Sequence, residues 1–128
     1  MSRAAKSVFA WGIYMLAMGT TFLLIPNAVL PLFGFPPTDE IWIRGMAMLA
    51  VALGYFYIQA ARHELLQFFR WKVHGHIFGV ICMGMFVILK LGPPMLLLFA
   101  SADLLAAVWT GLALRHPRGS ALERAAGD

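Results

Sequence analysis

The chain has 128 residues, of which 61% are hydrophobic and 12% are charged, and its formal net charge is +4. A mean hydropathy of +0.77 excludes an ordinary soluble domain of this length, because such a domain has no core large enough for so much apolar surface. The composition therefore predicts an all-α membrane protein, a bundle of four transmembrane helices that forms a single domain over residues 1–128. The lipid bilayer is the first expected partner.

The first predicted span covers residues 8–25, inside a stretch from 7 to 38 that has no charged residue. Tyr14 lies on one face of this helix, while Gly12 and Gly19 lie on another, where they allow a neighbouring helix to approach closely. Four prolines follow in residues 26–37, and they cannot continue a regular helix. We expect an irregular loop at the membrane surface there.

The second span is predicted at residues 41–62, with Thr38 as a candidate cap. Arg44, Tyr55 and Gln59 recur at helical spacing, which places them on one face. This face is a partly polar stripe along the helix, and it could line an ion path.

An amphipathic connection, residues 62–72, is expected at the lipid headgroups before a third span at 73–91. His63, His74 and His76 are weak metal candidates, because neutral imidazoles can bind zinc, copper or haem iron. Two of them are only two residues apart, so on a helix they point about 200° apart. Interfacial histidines without a metal are the simpler interpretation, and no cofactor is predicted from these residues.

Gly75 and Gly79 form a Gly-x-x-x-Gly pair at the start of the third span. Small residues at this spacing let helices pack closely in a membrane. The pair marks either a contact inside the bundle or the seam of a dimer.

The fourth span, residues 95–114, carries Asp103 near its middle. An aspartate at a helix centre costs roughly 2.5–3.5 kcal/mol for insertion, and the apolar residues of this span return only about 3–5 kcal/mol. The acid should therefore face protein rather than lipid.

Arg44 is one candidate partner for Asp103, since both predicted helices begin on the same side and a long side chain can bridge the difference in depth. Such a pair would be an internal polar clamp. Alternatively, Arg44 pairs with Glu40, and Asp103 forms a structural hydrogen bond with Tyr14, Tyr55 or Thr110.

The basic residues are distributed unevenly about the predicted spans. Only Arg44 and Lys90 lie on one side, and the other side carries eight: Arg3, Lys6, Arg62, Arg70, Lys72, Arg115, Arg118 and Arg124. This is the positive-inside pattern of a bacterial inner-membrane protein with both termini, including the tail 115–128, in the cytoplasm. Basic and aromatic residues do not alternate on an exposed face, so no nucleic-acid partner is expected.

Several short motifs resemble those of small four-helix bacterial membrane proteins of the DoxX-like group. They are Trp42-Ile-Arg44-Gly45 at the start of the second span, Ala60-Ala61-Arg62 at its end, and Asp103 followed by Trp109-Thr110 and Arg115. Some members of that group are linked to quinone-dependent oxidation, and others are accessory subunits. The chain differs from the group in having no arginine within its first span.

Three functions remain open from the sequence. The first is a non-enzymatic structural or accessory subunit that packs against itself or a larger membrane partner. The second is a proton-coupled small-molecule carrier or oligomeric pore that uses Asp103. The third is a quinone- or haem-associated redox subunit. The sequence contains no Gly-x-Ser-x-Gly, His-Glu-x-x-His or P-loop pattern and no cysteine pair, and no catalytic residue is predicted.

Overall fold

The computed structural model describes residues 1–116, and every regular element in that range is helical. Each of the four long helices is long and apolar enough to cross a membrane. The prediction of an all-α bundle of four helices is confirmed, and the chain is a multi-pass membrane protein. Residues 117–128, which form most of the predicted tail 115–128, lie outside the described residues. The helices are α1 (Arg3–Leu24), α2 (Pro26–Val29), α3 (Trp42–Arg62), α4 (Leu66–Ile88) and α5 (Leu96–Arg115), with a 3-10 turn at Leu30–Phe33.

Helix α1 lies between α3 and a hairpin made of α4 and α5. Glycines bring α1 and α3 into close contact: a Cβ atom added to Gly12 would lie 3.0 Å from the carbonyl oxygen of Gly54. One added to Gly19 would lie 2.9 Å from the backbone nitrogen of Val51. Backbone-to-backbone packing of this kind needs residues without side chains, as expected for Gly12 and Gly19.

Most helices begin and end at other residues than predicted, as at the beginnings of α1, α3 and α4. Helix α1 begins at Arg3 because the Ser2 hydroxyl accepts a hydrogen bond from the backbone of Ala5. Helix α3 begins at Trp42 without a side-chain cap, and Thr38 instead bonds the backbone of Glu40 in the preceding loop. Helix α4 begins at Leu66, so most of the predicted interfacial connection is the first part of a membrane-spanning helix.

The turn between α3 and α4 is tied to the start of α1. The Ser2 hydroxyl donates to the Glu64 carboxylate over 2.7 Å, and the Ser2 backbone donates to the other oxygen. Partial burial raises the pKa of Glu64, but these hydrogen bonds and the nearby amino-terminal charge outweigh it and hold the pKa below its ordinary value. These hydrogen bonds fix the start of α1 beside the turn that precedes α4.

Candidate functional site: an intramembrane histidine–aspartate pair

The central polar contact of the bundle joins α4 to α5. His76 Nδ1 lies 3.0 Å from Asp103 Oδ1, and the two side chains are 5% and 16% exposed. Burial of this depth inside the membrane-spanning part of a protein is expensive for both groups unless they are paired. Asp103 thus faces protein, as its insertion cost predicted, and its partner is a histidine.

The second ring nitrogen of His76, Nε2, has no hydrogen-bond partner within residues 1–116. Where the Asp103 carboxylate is ionised it can only accept a hydrogen bond, and Nδ1 of His76 then carries the donated proton. Nε2 of the neutral ring is then an acceptor, and it is a buried side-chain atom without a hydrogen bond among the described residues. A buried polar atom of this kind requires an explanation, such as a water molecule or a ligand that donates to it.

A cavity of about 280 Å³ lies beside the pair. His76 and Asp103 both line it, although Nε2 of His76 is itself buried. The remaining walls are mainly aromatic and apolar, which is the usual composition of a small-molecule site. They are formed by Trp11, Met15, Tyr57 and Gly75.

A second polar cluster lies toward the start of α4, one turn before His76. Lys72 is 4% exposed, and its ammonium group donates to the hydroxyl of Thr110 over 2.8 Å and approaches the carbonyl oxygen of Ala106 at 3.5 Å. Thr110 also shares a hydrogen bond of 2.8 Å with the hydroxyl of Ser7 on α1. The ammonium lies 5.7 Å from the ring centroid of Trp11, within the range of a cation–π contact.

Thr110→Val is expected to lower the free energy of unfolding by about 1–3 kcal/mol, because it leaves the buried Lys72 ammonium without its best acceptor while keeping the side-chain shape. Thermal unfolding in detergent measures the change. Thr21→Val is the matched control, since the hydroxyl of Thr21 bonds only the carbonyl of Ala17 in its own helix. Equal losses in both variants would contradict the role given to Thr110.

The predicted pairing of Arg44 with Asp103 is not formed among residues 1–116. Arg44 donates to the carbonyl of Leu23 at the end of α1, and Glu40 accepts from the indole of Trp42. The reason is the order of the helices: α3 packs chiefly on α1, while Asp103 of α5 faces α4. Arg44 therefore donates a hydrogen bond to a carbonyl group at the end of α1. It is bound neither to Asp103 nor to Glu40 within residues 1–116.

The predicted polar stripe on α3 does not line the cavity. Tyr55 is 54% exposed and contacts only the ring of Phe56 among the described aromatic pairs, and Gln59 is not a lining residue. The tyrosine of α3 that does reach the cavity is Tyr57. Tyr14 lies next to the site, with its ring centroid 4.8 Å from that of Trp11.

The remaining candidate residues, the histidines and the glycine pair, also differ from one another in burial and contacts. His63 and His74 are exposed, whereas His76 is buried. Gly79 lies against α5, because a Cβ atom added to it would be 2.9 Å from Asp103 Oδ2, while nothing lies within 4 Å of one added to Gly75. Gly79 is thus a contact inside the bundle that leaves room for the carboxylate.

Sequence reasoning missed Lys72, Ser7, Trp11 and Tyr57. Lys72 was assigned to the connection because Arg70 and Lys72 look like headgroup-level charges. The available signal was the spacing of four between Lys72 and His76, which places both on one face of a helix that begins before residue 70. Nothing in the sequence marks Ser7 as a site residue, because it lies next to Lys6 at the edge of the apolar stretch.

No group of three or more histidine, cysteine, aspartate or glutamate residues within residues 1–116 is arranged to hold a metal ion. The chain matches no known protein family, no curated protein and no solved structure. The resemblance to the DoxX-like group therefore stays a prediction.

Proposed function

We propose that the chain is a proton-coupled small-molecule carrier, in which His76 and Asp103 form the proton-exchanging centre. The observation that carries this proposal is the buried, unpartnered Nε2 of His76, in a residue pair that lines a pocket of the membrane-spanning bundle. A purely structural pair would be expected to satisfy both ring nitrogens, because an unpaired buried polar atom costs stability.

The pair can take up a proton without breaking its internal hydrogen bond. In the neutral form, Nδ1–H of His76 donates to Asp103, and Nε2 is free to accept. When a proton binds Nε2, the ring becomes an imidazolium cation that is still hydrogen-bonded to the carboxylate. Histidine is the side chain best suited to this change near neutral pH, and the carboxylate offsets the new positive charge in a low-dielectric site.

The cavity supplies the second requirement of a coupled carrier, a binding space in contact with the proton site. A molecule that occupies it touches His76 and Asp103 directly. Binding and protonation then affect each other, because a charge on one changes the electrostatic free energy of the other.

Proteoliposomes with an imposed pH gradient and an internal pH dye test the proposal. A panel of small cations, anions and neutral solutes is added, with protein-free vesicles as the baseline because weak bases cross bilayers unaided. At least one compound is expected to dissipate the gradient with the unaltered protein and not with Asp103→Asn. Ser101→Ala is the control, since Ser101 lies on the same helix, is exposed and bonds only its own helix. Equal rates in Asp103→Asn and the unaltered protein would contradict the proposal.

An accessory subunit that packs against itself or a larger partner remains the alternative. All four long helices expose large apolar side chains, and lipid covers these as well as a partner would, so they favour neither function. An oligomeric pore differs by conducting without saturation. A quinone or haem subunit differs by its visible absorbance or its co-purified quinone.

The proposed location is a bacterial inner membrane with both termini in the cytoplasm. The support is the excess of arginine and lysine at the helix ends near Arg3, Arg62 and Arg115, compared with Arg44 and Lys90 at the other ends. Reporter fusions at either end of the chain measure this orientation. In this orientation, the Lys72 cluster lies on the cytoplasmic side of the His76–Asp103 pair.

A further inference from the structure

We propose that Lys72 is the internal proton donor of His76, passing a proton from its buried ammonium group to Nε2 of the ring. The inference rests on the proposed carrier function and says how a proton reaches a nitrogen that is closed off from solvent. Burial, unused hydrogen-bonding capacity and position on one helix face each point to Lys72.

Nε2 of His76 needs a donor from within the protein. It is a buried atom without a hydrogen-bond partner among residues 1–116, so neither water nor a molecule in the neighbouring cavity reaches it in this conformation. A proton enters either from a side chain packed nearby or after the helices have separated. The first route needs an ionisable group that is itself buried and carries a proton.

Lys72 is such a group, and one of its N–H bonds is unused. An ammonium group has three N–H donors. One is bonded to the hydroxyl of Thr110 over 2.8 Å, and a second approaches the carbonyl oxygen of Ala106 at 3.5 Å. The third has no acceptor within residues 1–116. The bundle therefore contains a buried donor without an acceptor and a buried acceptor without a donor, both on α4.

Both groups lie on one face of α4, four residues apart. Side chains at this spacing are neighbours, and a helical side chain leans over the turn before its own Cα, so His76 leans toward the turn that carries Lys72. Trp11 of α1 contacts both, since its ring centroid lies 5.7 Å from the ammonium and 4.4 Å from the imidazole centroid. The structure shows Lys72 in its Thr110-bonded position, and rotation of its flexible stem brings Nζ to Nε2.

The charges around the two groups favour the transfer. Before it, the ammonium of Lys72 has only neutral hydrogen-bond partners, and a buried charge without a counter-ion is costly. After it, the positive charge lies on the His76 imidazolium, which is held 3.0 Å from the carboxylate of Asp103. The net charge of the three groups does not change, but the cation moves from an unpaired to a paired position. This gain offsets the greater basicity of an amine compared with an imidazole.

The transfer breaks one N–H bond and forms another. The Nζ–H bond leaves its electron pair on the lysine amine, and the lone pair of Nε2 forms the new bond. The neutral amine still donates to Thr110, which shares its other hydrogen bond with Ser7, so this polar chain between three helices is unchanged. Water from the end of the bundle where α4 begins then reprotonates Lys72, which lies one turn closer to that end than His76.

The other ionisable groups near the exchange are two tyrosines. Tyr14 of α1 and Tyr57 of α3 lie within electrostatic range of Asp103, and the ring centroid of Tyr57 is 6.5 Å from that of His76. A phenol that gave up its proton would leave a second negative charge beside Asp103. Lys72 leaves a neutral amine, so it is the better donor.

Trp11 reports the charge on His76. Trp42, Trp71 and Trp109 are exposed, so replacing all three by phenylalanine leaves Trp11 as the only indole. An imidazolium next to an indole quenches its fluorescence, and His76→Gln shows how much of the signal belongs to His76. The protein is placed in phosphatidylcholine nanodiscs, which are open on both sides, and is moved from alkaline to acidic buffer in a stopped-flow instrument.

Lys72→Met should slow the quenching by at least about 100-fold, because a positioned proton donor contributes a rate of this order. A merely structural loss would loosen the bundle and speed the access of water to Nε2, which is the opposite effect. Lys72→Arg should be slow as well, since arginine keeps the charge and the N–H donors but does not release its proton. Lys6→Arg is the matched control, because Lys6 is exposed at the start of α1. Unchanged or faster quenching in Lys72→Met, or unchanged quenching in Lys72→Arg, would overturn the inference.

The measurement is independent of transport, because it needs no solute. Slow quenching in both Lys72 variants, together with no compound that dissipates a pH gradient through Asp103, would uphold the proton transfer and contradict the carrier proposal. Gradient dissipation that depends on Asp103, together with unchanged quenching in the Lys72 variants, would do the reverse.

Discussion

Gly79→Ala is expected to slow coupled exchange by about 100-fold, because the added methyl group would lie 2.9 Å from Asp103 Oδ2. The carboxylate is held on its other oxygen by His76, and its short side chain has few ways to move. It must therefore rotate away from the ring or push α5 outward. Proteoliposome flux of any compound that dissipates the gradient measures the effect.

Gly84→Ala is the control for this variant. It lies on the same helix, outside the cavity, and a Cβ atom added there meets nothing within 4 Å. Both variants gain the same helix propensity, so a difference between them reports the contact with Asp103. Similar flux in the two variants would show that the position of the carboxylate does not control exchange.

Gly54→Ala is expected to lower the free energy of unfolding by about 1–3 kcal/mol, the usual range for overpacking a tight contact. A Cβ atom added there would lie 2.9 Å from the carbonyl oxygen of Gly12 and 3.0 Å from the backbone nitrogen of Leu16. Backbone atoms cannot rotate out of the way, so α1 and α3 must separate. Thermal unfolding in detergent measures the loss.

Gly45→Ala tests the same substitution on the same helix without the contact, since nothing lies within 4 Å of an added Cβ atom. It should unfold at the same temperature as the unaltered protein or slightly higher, because alanine is the better helix former. If Gly54→Ala were equally neutral, the close approach of α1 and α3 would be wrong.

The fold could be predicted because the membrane leaves few choices. Long apolar stretches must form helices that satisfy their own backbone, and prolines and polar turns mark where they end. The beginning of α4 was predicted too late, since residues 66–72 carry charges that look interfacial. In the structure, Lys72 is satisfied by Thr110 and Ala106 inside the bundle, a compensation that no local pattern reveals.

Only one residue of the His76–Asp103 pair, Asp103, could be predicted from the sequence. Asp103 was identified from its cost in lipid, which depends on the sequence alone. Its partner depends on which helices are neighbours, and several arrangements of four apolar helices are compatible with one sequence. The sequence alone therefore suggests Arg44, and only the packing of α3 on α1 and of α4 on α5 favours His76.

Asp103 holds the His76 ring through Nδ1, and Nε2 has no partner among residues 1–116. Nitrogen-15 NMR of histidine-labelled protein in bilayers tests it most directly, with His76→Gln used to assign the signal. At alkaline pH, His76 should carry its proton on Nδ1, and Asp103→Ala should remove that preference. A proton on Nε2 instead, or a tautomer that does not respond to the loss of Asp103, would show that Asp103 does not hold the ring in this way.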